Sequence, residues 1–248
     1  MKALILAAGY GTRLASIAAN TPKPLLPVNG RPLMNYIVDK LPGLPGLNEL
    51  LIVTNEKFHT NFEEWAKEMR KTFPVPIRIV NDGTTAAENR LGSVGDIEFA
   101  IKDCAISDDL FVLGGDNLFD YELKDYVTFA SAPQKRSAIT IGLYDIKNLE
   151  EAPMYGVVQI NAEGKLISFE EKPAQPKSTL ISMCCYYIPK ETLSYLDQYK
   201  KASGKMDKAG EYIGWVSKEK EVYGFKFTGK WYDIGSIESY NEAQAKFK

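Results

Sequence analysis

Two glycines follow the first apolar run of the sequence, and two cations come soon after them. The run Leu6 to Leu14 reads LAAGYGTRL, so Gly9 and Gly11 stand directly after a predicted buried strand. A backbone without side chains can approach a phosphate chain closely. Arg13 and, further on, Lys23 can neutralise charge where two phosphate-bearing substrates meet. The pattern predicts a phosphate site; the alternative is a solvent-exposed turn with two solvated cations.

Two familiar phosphate-binding patterns do not fit this run. The dinucleotide fingerprint needs a third glycine where Leu14 stands, and the Gly-Lys-Ser/Thr triplet of a P-loop does not follow. The next segment, Thr21 to Val28, reads TPKPLLPV, and its three prolines fix φ and remove backbone donors. We therefore expect an extended, non-helical segment that holds Lys23 on a stiff backbone.

A carboxylate follows a second apolar run, after two further glycines. Asp116 comes after the run Leu110 to Leu113. Because Mg²⁺ prefers one or two carboxylates together with phosphate oxygens, Asp116 is a candidate magnesium ligand; the alternative is a turn or helix-cap aspartate. The chain has one histidine, His59, and its three cysteines have no zinc-site spacing. Any metal chemistry therefore has to use oxygen ligands.

Composition and charge exclude several classes of partner. The 248 residues carry 30 Lys and Arg against 32 Asp and Glu, a formal net charge of −2. This balance offers no bulk basic surface for nucleic acid or for an acidic membrane. The apolar run at the N-terminus, Met1 to Ala8, is too short for a signal peptide or a membrane span. The cysteines form no disulfide framework, so we expect a cytoplasmic protein.

The order of the apolar runs predicts the elements that position these residues. In the first half, short apolar runs alternate with amphipathic ones, which predicts right-handed crossovers, a mostly parallel sheet and ligands at the carboxyl ends of its strands. The predicted strands are Lys2–Ala8, Glu49–Thr54, Pro76–Asn81 and Asp109–Gly114. The predicted helices are Lys57–Phe73, with Phe58, Phe62, Trp65, Met69 and Phe73 in the core, and Ser93–Ile106, with Ile97, Ile101 and Ala105 on one face.

After about residue 136 the pattern changes to extended runs with few helices, which predicts antiparallel strands added to the same sheet. These runs are Ala138–Tyr144, Gly156–Asn161, Lys165–Glu171, Leu180–Ile188 and Glu221–Phe227, with a hairpin signal at 161–164 and a last helix at Ile237–Phe247. No linker or repeat separates two units. We expect one α/β domain over residues 1–248, a Rossmann-like three-layer sandwich with a mixed, mostly parallel sheet.

Two further runs complete an ordered series of motifs. Phe169 to Pro173 reads FEEKP, and Gly229 to Gly235 reads GKWYDIG. In order, the motifs GxGTRL, PKPLLP, GGD, EEKP and WYDIG span nearly the whole chain and resemble the sugar-1-phosphate nucleotidylyltransferase family, which includes glucose-1-phosphate thymidylyltransferase. The resemblance implies a glycosyltransferase-A-like nucleotidyltransferase fold. It also implies an NDP-sugar pyrophosphorylase, an enzyme that condenses a nucleoside triphosphate with a sugar-1-phosphate and releases pyrophosphate.

The resemblance also assigns roles to particular residues. It implies that Arg13 and Lys23 stabilise the triphosphate and the departing pyrophosphate, and that Asp116 and Asp233 bind Mg²⁺. The implied nucleotide-binding residues, in a half of about 1–118, are Ala8, Gly9, Gly11, Thr12, Arg13, Lys23, Asn81 and Gly92. The implied sugar-phosphate-binding residues, in a half of about 119–248, are Gly156, Glu171 and Lys172. Relatives commonly form dimers or tetramers, so the resemblance leaves room for a homo-oligomer.

The chemistry implied by this family suits these residue types. The phosphate of the sugar-1-phosphate is already ionised at neutral pH, and it attacks the α-phosphorus of the nucleotide in line. Orientation and charge neutralisation therefore carry the rate, and no general base is needed. A chain with a single histidine can do this.

The chain departs from the thymidylyltransferase pattern near the nucleobase. Pro24 stands where those enzymes carry a glutamine, and Leu91 to Asp96 reads LGSVGD where a Gly-Thr-Ala-Gly-like run is usual. A backbone contact at Gly92 needs no particular side chain, so the base stays open, with a pyrimidine expected. Asp96 replaces a small residue, and we expect it to cap a helix rather than to contact an unusual substrate.

Several alternatives share parts of the pattern. A cytidylyl- or uridylyltransferase acting on a non-glucose or non-sugar phosphate, such as phosphocholine, would use a similar nucleotide half. A catalytically silent regulatory relative would keep the fold but lose the phosphate and metal residues, which are all present here. A glycosyltransferase normally has Asp-x-Asp, whereas Asp116 is followed by Asn117 and Leu118. A dehydrogenase is disfavoured by Leu14, so the sequence favours a nucleotidylyltransferase with an open choice of acceptor.

Overall fold

The computed structural model describes residues 1–18 and 20–247. Its strands, in chain order, are β1 (Lys2–Leu6), β2 (Pro27–Val28), β3 (Arg31–Pro32), β4 (Glu49–Thr54), β5 (Ile77–Asn81), β6 (Leu110–Gly114), β7 (Asn117–Phe119), β8 (Ile139–Asp145), β9 (Gly156–Ile160), β10 (Leu166–Glu171), β11 (Leu180–Ile188), β12 (Val222–Lys226) and β13 (Trp231–Asp233). Its helices are α1 (Ala15–Ala18), α2 (Leu33–Val38), α3 (His59–Met69), α4 (Gly92–Asp103), α5 (Lys124–Ala130), α6 (Tyr195–Ser203), α7 (Ala209–Glu219) and α8 (Ile237–Lys246).

One nine-stranded sheet runs through both halves of the chain. Its main path is β10-β9-β11-β6-β1-β4-β5, and β8 and β12 extend it from β11. Strands β6, β1, β4 and β5 are parallel, whereas β11 is antiparallel to β6 and joins the halves. Strand β1 therefore lies between two parallel neighbours, and its carboxyl end opens at the centre of the sheet. This is the expected place for a ligand in an open α/β sheet.

The sheet is covered on both faces, which gives three layers. Because side chains alternate along a strand, Ala3 and Ile5 of β1 face one core, with α2, α3 and α5, whereas Leu4 faces the other, with α4, α6 and α7. A smaller core lies under α8, where Ala243 and Phe247 pack with Leu14 and the end of the WYDIG motif. The predicted α/β class, with its mixed sheet and three layers, is confirmed.

The four strands predicted for the first half and the final helix agree with the structure to within one or two residues, whereas the short strands β2, β3 and β7 were not predicted. The Lys57–Phe73 prediction is longer than helix α3, and Ala105 lies beyond the end of α4 and is exposed rather than in the core. The aromatic stripe of α3 does pack into the core. The proline-rich segment is not wholly extended, because a single 3-10 turn forms at Lys23–Leu25.

The second half contains more helix than its extended runs indicated. Helices α6 and α7 lie between β11 and β12, and β12 pairs with β8 in parallel rather than antiparallel fashion. Strand β8 is antiparallel to β11, and after α6 and α7 the chain returns antiparallel to β11 on the far side of β8. Strand β12 is therefore parallel to β8. Among the residues that the structure describes, no helix is long and apolar enough to cross a membrane.

Candidate active site

The loop 7–13, predicted from the sequence to bind phosphate and hereafter called the phosphate loop, leaves the carboxyl end of β1 and borders a cavity of about 200 Å³. The backbone of the neighbouring strand end is close enough that Gly115 N donates to Leu6 O at 2.9 Å. A Cβ at Gly115 would lie 2.8 Å from that oxygen, which explains a glycine at this position. The described residues lining this first cavity are Leu6, Ala7, Gly9, Gly11, Thr12, Arg13, Leu14, Lys23, Pro24, Asp116 and Gly235.

The two predicted cations of the nucleotide half both line this first cavity, in different environments. Arg13 is exposed in a 3-10 turn that is anchored by the buried side chain of Leu14. Lys23 lies in the 3-10 turn between two prolines, and its Nζ donates to Asp116 Oδ2 at 2.6 Å. The structure therefore holds Lys23 against the carboxylate that the sequence assigned to the metal, while Arg13 stays available to a ligand.

A short strand pair brings together the two aspartates that are 117 positions apart in sequence. Strand β7 pairs with β13 so that Asn117 lies opposite Asp233, and Ile234 N donates to Asp116 O at 3.0 Å. Trp231 Nε1 also donates to Asn117 Oδ1 at 2.7 Å and ties the two segments together. The sequence showed both motifs, but it did not show that β7 and β13 pair and so bring them together.

The electrostatics of the two aspartates suit a cation between them. Burial opposes ionisation of Asp116, but the charge and hydrogen bond of Lys23 hold the pKa of this carboxyl below its ordinary value. Burial and the charge of Asp116 raise the pKa of Asp233 to about 6, against the opposing charges of Lys23, Arg13 and Lys172. Two neighbouring carboxylates, one of which resists ionisation, are oxygen ligands that a bound divalent cation would stabilise in the ionised form.

A second cavity, of about 250 Å³, adjoins the first. The described residues that line it are Leu6, Ser93, Gly114, Asp116, Asn117, Tyr155, Ser182, Met183, Cys184, Trp231 and Asp233. Leu6 and Asp116 line both cavities, so Asp116 stands at the border between them. Two ligands, one in each cavity, would therefore meet at this carboxylate.

The predicted sugar-phosphate residues cluster beside the second cavity. A Cβ at Gly156 would lie 3.2 Å from Glu171 Oε2, and Lys172 N donates to the carbonyl oxygen of Tyr155 at 3.0 Å. Burial raises the pKa of Glu171, against the opposing charges of Lys172 and Lys208. The structure thus gathers Gly156, Glu171 and Lys172 at one place, with Tyr155 joining them to the cavity.

The predicted base residues lie at the two ends of the loop 82–91, hereafter the base loop. Asn81 ends β5, and its Nδ2 donates to Glu56 Oε2 at 2.5 Å; Gly92 begins α4. Neither Asn81 nor Gly92 is among the described residues that line the two cavities. Asp96 does not cap α4, because it lies in the second turn and is 6% exposed. The prediction that Asp96 caps the helix is wrong, because α4 begins at Gly92 and Asp96 lies inside it.

The structure also places residues at the site that sequence reasoning missed. Asn55 is fully buried after β4, and its Nδ2 donates to Ala8 O at 2.8 Å, which fixes the phosphate loop. Lys208, just before α7, lies close enough to Glu171 for each to influence the other's pKa. Asn55 could have been noticed as a polar residue at a strand's carboxyl end. Lys208 belongs to no motif and carried no sequence signal.

The family model for nucleotidyl transferases matches residues 2–248 of this chain. The chain belongs to the nucleotidyl transferase family. The bifunctional protein GlmU of Methanocaldococcus jannaschii is 29% identical over 235 residues, which cover 95% of this chain and 51% of that relative. The chain thus spans about half the length of this curated relative.

Solved structures of other proteins agree with the fold described above. A Bacillus anthracis protein assigned as a glucose-1-phosphate thymidylyltransferase, in complex with sucrose, superposes with a TM-score of 0.84 at 24% identity, covering 99% of this chain and 94% of that one. A UDP-glucose pyrophosphorylase in complex with UDP-glucose has a TM-score of 0.79 at 25% identity, covering 99% and 97%. The resemblance inferred from the ordered motifs is confirmed.

Proposed function

We propose that this protein transfers a nucleotidyl group from a nucleoside triphosphate to a sugar-1-phosphate, giving an NDP-sugar and pyrophosphate. The observation that carries the proposal is the position of Asp116, which lines both cavities. A triphosphate in the first cavity and a phosphate acceptor in the second would meet beside this carboxylate. Membership of the nucleotidyl transferase family supports the same reaction class.

The residues of the first cavity would hold the triphosphate. Gly9 and Gly11 let the loop backbone approach the phosphates, and Arg13 and Lys23 would neutralise the charge that collects on the departing pyrophosphate. Ala8 and Thr12 belong to the same loop, and Asn81 and Gly92 would contact the base. A pyrimidine remains the expected base, with the choice between uracil, thymine and cytosine open.

The second cavity would hold the acceptor. Lys172 would bind its phosphate, and Glu171 with the backbone near Gly156 would bind sugar hydroxyls, since a carboxylate accepts hydrogen bonds from such groups strongly. The acceptor phosphate is ionised at neutral pH, so the protein's task is to align it with the α-phosphorus and to neutralise charge. The bond from the α-phosphorus to the bridging oxygen of pyrophosphate breaks as the new phosphate bond forms.

Asp116 and Asp233 are the residues that would hold Mg²⁺. When bound, this ion would supply charge neutralisation of the α- and β-phosphates. Among the described residues there is no cluster of three or more His, Cys, Asp and Glu side chains that could hold a metal alone. Two carboxylates are nevertheless what Mg²⁺ uses where substrate phosphates complete its coordination. A cytoplasmic location and a homo-oligomeric state remain predictions.

A matrix of substrates tests the proposed function. Pyrophosphate release is measured with dTTP, UTP, CTP, ATP and GTP, each with a panel of sugar-1-phosphates and with phosphocholine, in the presence of Mg²⁺. We expect release that depends on both substrates and is highest with a pyrimidine nucleotide and a sugar-1-phosphate. A preference for phosphocholine would overturn the sugar assignment, and a preference for ATP would overturn the expected base.

A further inference from the structure

Asp82 and Asp96 form a buried pair of carboxyl groups beneath the base loop. The two residues are 8% and 6% exposed, and their side chains lie within hydrogen-bond reach of each other. Oδ2 of Asp82 and Oδ1 of Asp96 are buried and find no donor among the described residues. Neither carboxyl forms an ion pair with a described Lys, Arg or His. If both carboxyl groups were ionised, their charges would repel each other. A single proton held between them would form a hydrogen bond that satisfies both groups.

The pair joins the two ends of the base loop. Asp82 directly follows Asn81, where β5 ends, and Asp96 lies about one helical turn after Gly92, where α4 begins. Asp82 N also donates to Thr54 O at 2.8 Å, which fixes this end of the loop to β4. A bond between Asp82 and Asp96 therefore sets the distance between the two residues proposed to contact the base.

A second set of hydrogen bonds connects the pair to the phosphate loop. Oδ1 of Asp82 accepts from Thr84 N at 2.7 Å and from Thr84 Oγ1 at 2.8 Å. The same Thr84 Oγ1 accepts from the hydroxyl of Tyr10, which lies between Gly9 and Gly11, at 3.1 Å. These contacts connect helix α4 to the phosphate loop through the carboxyl groups of Asp96 and Asp82 and the hydroxyl of Thr84.

We propose that Asp82 and Asp96 share one proton and act as positioning residues that fix the base loop to helix α4 and, through Thr84, to the phosphate loop. The functional part of this inference rests on the proposed nucleotidyl transfer. Burial and the neighbouring charge of Asp82 raise the pKa of Asp96 to about 8, which is consistent with a neutral partner in the pair. Neither residue lines the two cavities, so the pair acts through the backbone it holds.

Two substitutions at Asp96 separate this role from simple core packing. Asp96→Asn keeps a donor for Asp82 without needing a proton, so the KM for the nucleoside triphosphate should stay within about twofold of wild type. Asp96→Leu removes the donor and leaves Asp82 Oδ2 unpaired, so that KM should rise about tenfold. The KM for the acceptor and kcat at saturation should change in neither variant. An equal rise in both variants, or no rise in Asp96→Leu, would overturn the proposal.

A second variant and a matched control keep the test independent of how well Asp96→Leu folds. Thr84→Val removes the hydroxyl that links Tyr10 to Asp82 while preserving side-chain shape, and should raise the KM for the triphosphate about threefold. Glu49 is also a buried carboxylate, but it begins β4 far from the loops and pairs with Lys2 and Arg78. Glu49→Gln should leave both KM values unchanged. An unchanged KM in Thr84→Val would contradict the link to the phosphate loop.

An infrared measurement tests the shared proton without any activity. At neutral pH the wild type should show the carbonyl band of a neutral carboxylic acid that Asp96→Asn lacks, and its absence would overturn the shared proton. Calorimetric binding of triphosphate to the same variants should follow the KM order. If wild type binds triphosphate but releases no pyrophosphate with any acceptor, the proposed function fails while the infrared and binding results still decide this inference.

Discussion

The first cavity with Lys23 and the second cavity with Lys172 beside it, proposed to take nucleotide and acceptor and hereafter called the nucleotide side and the acceptor side, hold their lysines in opposite ways. Lys23 donates to Asp116 at 2.6 Å from a turn between two prolines. Lys172 is exposed, on a backbone with φ of 47°, a conformation that costs a non-glycine residue about 1 kcal/mol or more. The hydrogen bond from its backbone N to Tyr155 O helps to hold that conformation. The first cation is fixed before substrate arrives, whereas the second is presented to solvent on a strained backbone.

This difference suggests distinct tasks for the two sides. A fixed lysine beside a carboxylate is preorganised for charge that develops during the reaction, which is the arrangement that lowers a barrier most effectively. An exposed lysine on a constrained backbone is suited to capture of a phosphate from solvent. We expect changes at the aspartates and Lys23 to affect turnover, and changes around Lys172 to affect acceptor binding.

The largest effect is expected at the two aspartates that the sides share. Asp116→Asn and Asp233→Asn each remove an anionic ligand while keeping the shape of the side chain. We expect a loss of kcat of about a hundredfold or more, on the order of 3 kcal/mol, with the fold intact. Steady-state kinetics at several Mg²⁺ concentrations, with circular dichroism as the check on folding, tests this. Near-wild-type turnover of both variants at saturating Mg²⁺ would contradict the assignment of Asp116 and Asp233 as Mg²⁺ ligands.

The next effect separates the two lysines. Lys23→Ala should weaken the triphosphate and pyrophosphate interactions, and Lys172→Ala should mainly raise the KM for the acceptor. Loss of a charged hydrogen bond of about 1.5–3 kcal/mol corresponds to roughly tenfold to 150-fold. Measurement of the KM for each substrate with each variant shows which lysine serves which substrate. Lys177→Ala is the control for the acceptor side, since Lys177 is exposed and pairs with Glu170 outside the cavity. Identical effects of both variants on both substrates would argue against separate subsites.

A smaller effect tests how the acceptor side is built. A Cβ at Gly210, in the first turn of α7, would lie 1.9 Å from Glu171 Oε2. Because the end of a glutamate side chain can move, Gly210→Ala should fold, but with the carboxylate displaced. We expect kcat/KM for the acceptor to fall about tenfold, or about 1.4 kcal/mol, with triphosphate kinetics unchanged.

One helical turn further on, the same helix offers a matched control for Gly210→Ala. A Cβ at Gly214 would meet the ring of Phe169, with Cδ1 at 3.2 Å and Cε1 at 3.6 Å, so Gly214→Ala should require a shift of a few tenths of an ångström in one ring. Comparison of acceptor kinetics for the two alanine variants gives the effect of moving Glu171. Equal effects of the two substitutions would mean that Glu171 does not contact the acceptor.

The last effect concerns stability rather than kinetics, on the nucleotide side. Burial and Asp82 raise the pKa of Asp96 to about 8, whereas an unfolded aspartate titrates near 3.9. Between these values the folded protein keeps a proton that the unfolded chain releases, so this group makes stability fall as pH rises, by at most about 1.4 kcal/mol per pH unit. Asp96→Asn should remove that slope. Urea unfolding of both proteins between about pH 5 and pH 8 measures it, and parallel curves would contradict the raised pKa.

Local sequence patterns explain the position of the first cavity better than the surroundings of Glu171, for a physical reason. Glycines and carboxylates at the ends of consecutive parallel strands meet at one edge of the sheet, so Gly9 and Asp116 could be placed together from local patterns alone. Glu171 instead owes its surroundings to α7, whose Gly210 and Lys208 lie in a segment with no motif. Asp96 was misread because only tertiary packing reveals that it faces Asp82.

The most direct test of the proposed nucleotidyl transfer is to monitor the phosphorus atoms of both substrates during the reaction. Phosphorus NMR of the wild-type protein with Mg²⁺, a pyrimidine nucleoside triphosphate and a sugar-1-phosphate should show the acceptor phosphate and the nucleotide α-phosphate becoming one diphosphate. One pyrophosphate should appear for each diphosphate formed, and neither should appear when the acceptor is left out. Pyrophosphate accompanied by free nucleoside monophosphate, or no reaction with any acceptor, would contradict transfer between two cavities that meet at Asp116.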